Sequence, residues 1–263
     1  MRNQLFIVPF YFLFAGLLSS CAPMLYTPNE LNMPLARDAK ILKTGLYFGI
    51  GGFSGEASYT IDSNFLLLAN GLTAIGQNQY SFDGGAGYYH AIEDNLNLEV
   101  LLEYGYGRAD ADSKYDILFG EGNATEEDIL HGSYTRACFQ MDISRTNWKG
   151  GIIGFGIRVG STFPRGFYYR EILSTSKPGT PNQNSTTPPP PATLILDDNT
   201  YHSTTYAILV EPGISFNKKV GKHSFFHTSI GFSLGSGQNM TYGPISNTIY
   251  WPVMAALGYT FVF

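Results

Sequence analysis

Apolar and polar residues alternate one by one along most of this chain. From Leu96 the series Leu96, Leu98, Val100, Leu102, Tyr104 and Tyr106 interleaves with Asn97, Glu99, Leu101, Glu103, Gly105 and Gly107. Strand side chains point alternately to opposite faces, so this segment has one apolar wall and one polar wall. The same period sets Thr135, Ala137, Phe139, Met141 and Ile143 against Tyr134, Arg136, Cys138, Gln140 and Asp142. It recurs as Ile153, Phe155, Ile157 and Val159 against Gly154, Gly156, Arg158 and Gly160. The final stretch offers Trp251, Val253, Ala255, Leu257, Tyr259, Phe261 and Phe263 to one side, with aromatics at both ends and small aliphatics between. That order suits a strand crossing a lipid bilayer, whose aromatics sit at the two interfaces.

The alternation predicts strands over 44–52, 55–62, 65–76, 80–92, 95–108, 132–146, 150–164, 204–217, 222–235 and 249–263. Short polar turns such as Asp62-Ser63-Asn64, Glu93-Asp94-Asn95 and Lys218-Lys219-Val220-Gly221 alternate with long connections over 108–131 and 165–203. Short turns on one side and long loops on the other are the pattern of membrane barrels. The predicted fold class is therefore all-β: an antiparallel up-and-down transmembrane β-barrel of about ten strands. Eight is the alternative, because Gly51, Gly52 and Gly55 crowd the first hairpin. No later stretch reaches the about 18 consecutive apolar residues of a membrane helix.

Composition agrees with one such domain. Of 263 residues 14% are charged, while Gly (30), Tyr (18) and Phe (19) are abundant. The net charge of −5 and the lack of a Lys/Arg run argue against nucleic acid as a partner. Two distant cysteines, Cys21 and Cys138, make neither a disulfide framework nor a zinc site. Cys138 reads as a small packed side chain, and neither metal nor cofactor is expected.

The first residues tell where the chain goes. Arg2 precedes an apolar run from Leu5 to Leu18, then small residues, which reads as a cleaved signal peptide over 1–20. Leu18-Ser19-Ser20-Cys21 resembles the lipobox of bacterial lipoproteins, in which the cysteine becomes the acylated first residue of the mature chain. Residues 21–43, with Pro23, Pro28 and Pro34, read as a lipidated N-terminus and extended periplasmic tether to a barrel over 44–263.

From Cys21 to Phe263 the chain resembles the small barrel lipoproteins of Gram-negative outer membranes. The resemblance rests on architecture and end signals, Phe263 matching the terminal aromatic of barrel-assembly substrates. It implies an outer-membrane location, an anchor at Cys21 and periplasmic termini. It also implies outer-membrane lipids as partners, with protein partners in an outer-membrane complex. It names no reaction, and the expected role is non-enzymatic: a structural or interaction component displaying its surface loops. A narrow cation-preferring channel is the alternative, and a lipid-modifying hydrolase the third.

The candidate residues follow from the faces. Glu56, Asp83, Glu99, Glu103, Asp142 and Glu211, with Arg136, Arg158 and His227, fall on the polar face and should form a lumen network. Buried charges must be paired or hydrated, and a barrel of this size is just wide enough for side chains. Tyr104, Tyr106, Trp251, Tyr259, Phe261 and Phe263 are the expected membrane-interface aromatics. His227 and Ser229 share a strand face, resembling the His-x-Ser of lipid A deacylase barrels, with Glu211 as a candidate orienter. The triplet is too common to identify an enzyme, and its face looks into the lumen rather than at lipid. Gly49 to Gly55 lacks the strand–loop–helix context of a nucleotide loop and reads as a strand bend. The 108–131 connection is acidic but departs from the calcium-loop spacing, and Pro188 to Pro191 should stiffen the 165–203 connection.

Overall fold

The computed structural model describes residues 29, 31, 33, 34, 39–49, 51–74, 78–117, 124–147, 150–177, 192–203, 206–236 and 253–263. Among the described residues every regular element is a strand: β1 Leu42–Gly49, β2 Gly52–Thr60, β3 Phe65–Thr73, β4 Asn78–Glu93, β5 Leu96–Ile117 and β6 Ala124–Thr146. They continue as β7 Ile152–Lys177, β8 Ala192–Ser203, β9 Ala207–Lys219, β10 Ser224–Phe232, β11 Leu234–Ser236 and β12 Val253–Val262. All pairings are antiparallel, and β1 pairs with β12 from Lys43↔Val262 to Gly49↔Ala256, which closes the sheet. Gly231↔Gly213 and Leu234↔Val210 lie in one register, so β11 continues β10. With β8 standing outside, the result is a closed ten-stranded barrel.

The turns over 61–64, 94–95 and 220–223, with the one from Asn147 to Gly151, collect at one mouth, while the β1–β2 turn after Gly49 lies at the other. Asp62 Oδ1 accepts the amides of Asn64 and Phe65, each at 2.8 Å, and Asn147 Oδ1 accepts that of Gly151 at 2.9 Å. Asx side chains that bond the backbone two to four residues on are what make such turns tight. Leu42 and Phe263, joined by reciprocal backbone hydrogen bonds of 3.2 and 2.8 Å, lie at this same mouth.

At the opposite end the strands outgrow the wall. The expected loops over 108–131 and 165–203 are largely strand instead, which corrects the sequence reading. β5 pairs with β6 as far as Ile117↔Ala124, β6 with β7 as far as Ala124↔Thr175, and β8 with the upper half of β7. These four strands form a ribbon standing above the barrel. Segments such as Thr193-Leu194-Ile195-Leu196 carry β-formers through a stretch that its length and its proline run suggested was loop. Pro188 to Pro191 lie outside the described residues.

Polarity runs opposite to that of an ordinary core. Leu46 (71% exposed), Leu102 (65%), Phe82 and Phe155 face outward, while Arg158, Glu211 and Gln140 (each 0%) are enclosed. Tyr104, Tyr106, Tyr259, Phe261 and Phe263 all face outward too. Phe65–Tyr88 and Phe226–Tyr259 form edge-on ring pairs, each with centroids 5.6 Å apart, toward the short-turn end. Phe48–Phe53 and Tyr80–Tyr106 occupy the other end of the wall, with centroids at 5.1 and 6.4 Å. Trp251 lies outside the described residues.

Candidate functional site in the barrel lumen

The lumen is organised around two arginines. Asp83, Gly105 and Arg136 are successive partners across β4, β5 and β6. Gly105 has no side chain, and a Cβ there would stand 1.8 Å from Asp83 Oδ1. The guanidinium therefore spans the middle strand, its Nε and one NH2 donating to the two Asp83 oxygens at 2.6 Å each. On the adjoining strands β7 and β9, Arg158 and Glu211 are direct partners, joined through Nε at 2.6 Å. Ser233 completes that carboxylate with a 2.8 Å hydrogen bond. Paired, hydrogen-bonded charges of this kind are what a closed lumen tolerates.

A third pair lies nearer the short turns. Lys43 Nζ sits 3.0 Å from Glu56, which also accepts a hydrogen bond from the Tyr47 hydroxyl. The Tyr47 ring packs 4.6 Å from the His227 imidazole. His227 Nδ1 donates to Asn217 Oδ1 at 3.0 Å. Ser229 lies one step along the same face, beside Leu31 and Gly231. Glu211, the orienter expected for a His-Ser pair, is held by Arg158 and Ser233 and lies six residues along β9 from Asn217, the ladder partner of His227. The three residues are not brought together as a catalytic relay.

Glu99 and Asp142 face each other in register, with Gln140 donating to Asp142 at 2.8 Å. Glu103, 4% exposed, has Cys138 as its partner on β6, and that thiol is free and buried. All nine polar residues read from the sequence as the lumen network thus point inward.

The lumen also holds a guest from its own chain. Asn29, Leu31 and Met33, expected in a tether outside the folded body, lie inside it. The Asn29 amide donates to Asn70 Oδ1 and Asp83 Oδ2, each at 2.9 Å, and accepts from Ser81 at 3.0 Å. Its backbone carbonyl accepts from Arg158 at 3.0 Å, and the Met33 carbonyl accepts from Lys43 at 2.8 Å. Leu31 and Met33 lie over Gly156, Gly213 and Gly231, which are adjacent in register on β7, β9 and β10. A Cβ on Gly213 would come within 2.6 Å of Leu31 Cδ1, and one on Gly156 within 3.0 Å of Met33 Cε. The glycine row is the berth of the segment. Prolines and the absence of a sustained period hid this in the sequence, although Asn29-x-Leu31-x-Met33 carries the alternation of an extended strand.

Above the wall, Asp110 accepts from Arg108 Nε at 2.7 Å and from His131 Nδ1 at 3.0 Å. The Arg108 hydrogen bond, then that of His131, holds the Asp110 carboxyl below its usual value. Cys21 lies outside the described residues. No family model matches this chain, and no curated protein matches it either.

Proposed function

We propose that this protein is a lipid-anchored bacterial outer-membrane barrel that works as a plugged, non-catalytic platform. Its lumen does not conduct, and its ribbon of β5 to β8 is the part that meets partners. The observation that carries this reading is the occupied lumen. Three ion pairs and the Asn29–Met33 segment fill the space that a channel would need. The bilayer location draws support from the outward apolar wall, from aromatics at both of its ends, and from strands of 8 to 10 residues in β1, β2, β3 and β12. Transmembrane strands of about 9–11 residues span a membrane when tilted. The short turns then face the periplasm and the ribbon faces outward.

The anchor at Cys21 belongs in this reading to the inner leaflet, by the short turns. A second placement follows from the direction of the inserted segment. From Met33 beside Ser215, past Leu31 at Gly213, to Asn29 on Arg158, the chain climbs away from the short-turn mouth. That direction favours an anchor on the ribbon side, and labelling of an N-terminal epitope on intact cells separates the two.

Planar-bilayer recording tests the closed lumen. The purified chain should insert without reproducible single-channel steps. Regular cation-selective steps would replace the platform with the narrow channel.

A further inference from the structure

A cavity of about 270 Å³ opens at the short-turn mouth, below the inserted segment. Its walls are apolar where Ile152, Phe225 and Val262 face one another, and Pro34 of the inserted segment forms part of its lining. Its rim is cationic. Lys219 at the end of β9, with Lys222 and His223 in the turn to β10, borders it, and none of the described lining residues is acidic. Lys43, deeper in, is already matched by Glu56 and the Met33 carbonyl.

The deciding group is Asn217, which lines the same cavity and is 2% exposed. Its Oδ1 is taken by His227 Nδ1 at 3.0 Å. Its Nδ2 is buried and has no hydrogen-bond partner among the described residues. A buried donor left unpaired costs about 1–3 kcal/mol, so this position favours an acceptor from a ligand. Few polar groups set among apolar walls are the usual design of a small-molecule pocket.

We propose that this mouth binds a small amphiphilic anion, an aryl or alkyl phosphate or carboxylate. Its anionic head meets the Lys219 and Lys222 ammonium groups and accepts from Asn217 Nδ2, and its apolar body lies against Ile152, Phe225 and Val262. A neutral ligand would leave the rim charges unmatched, and a cation would be repelled. The volume suits a single ring or short chain rather than a two-chain lipid.

The test titrates phenyl phosphate into the full chain in a non-ionic detergent and reads heat or the ³¹P line. Saturable binding is expected, with octanoate displacing it and with benzyl alcohol and inorganic phosphate at least about tenfold weaker. Asn217→Asp keeps an acceptor for His227 while replacing the donor with a negative charge, and should weaken binding at least about tenfold. Lys219→Gln with Lys222→Gln, both at the exposed rim, should do the same without touching the fold. Absence of saturation, equal binding of inorganic phosphate, failure of octanoate to compete, or wild-type affinity in the double lysine variant overturns the proposal.

Discussion

Gly156 and Gly213 face each other across the ladder between β7 and β9, and the space left by their missing side chains is filled by Leu31 and Met33. Small residues there do not weaken the wall without return, because they let a second layer of chain pack inside it. The wall supplies polar partners for the Asn29 amide and for the Asn29 and Met33 carbonyls in the enclosed lumen.

Gly213→Val tests the berth. Its Cβ alone would press on Leu31 at 2.6 Å, so either the segment is expelled or the wall distorts. Overpacking of this kind costs about 1–3 kcal/mol. The variant should unfold at a lower temperature on a heat-modifiability gel, and protease should cut it near residues 29–34. Gly84→Ala, a wall position on β4 where a Cβ meets nothing nearer than 3.9 Å, tests glycine loss away from the berth and should leave the 29–34 cutting pattern unchanged.

Arg136→Ala removes one partner of a buried bidentate pair and leaves Asp83 enclosed. Stranding a buried charge costs about 3–5 kcal/mol, so the denaturant midpoint should fall sharply. Arg136→Gln combined with Asp83→Asn should recover much of that loss, since no net charge is left behind. A double variant no better than the single would place the cost in lost packing instead.

The ribbon has a pH-dependent tie. The Asp110 carboxyl is depressed by its hydrogen bond from Arg108, so its contribution is present above the ordinary carboxylate range and is lost as pH falls through its own lowered value. Carboxyl NMR titration should find Asp110 below a free aspartate, and Arg108→Gln should move it back up. Exposure and salt screening keep the energetic effect small. An unshifted Asp110 in the wild-type chain would contradict the geometry.

Legibility in the sequence followed the reach of each interaction. Period two is a local property, so nearly every strand of the wall and the inward direction of Arg136, Arg158 and Glu211 could be read directly. Which acid meets which base could not. Asp83 finds Arg136 only because Gly105 lies between them, and that depends on the register of three strands. The Asn29 segment was hidden for a related reason: its neighbours, from Asn70 to Ser215, are distant in the chain. The ribbon was misread because charge in the 108–131 stretch outweighed strand formers such as Ile129 and Leu130. The orphan donor of Asn217 follows from side-chain geometry alone and has no sequence signal.

The most direct measurement uses residues 22–263, produced without lipid at Cys21, refolded and mixed with phospholipid vesicles. After flotation through a density gradient with a urea wash, the chain should rise with the vesicles, because its apolar wall rather than an acyl group holds it there. A chain that stays at the bottom, folded and monomeric without detergent, would contradict the membrane barrel.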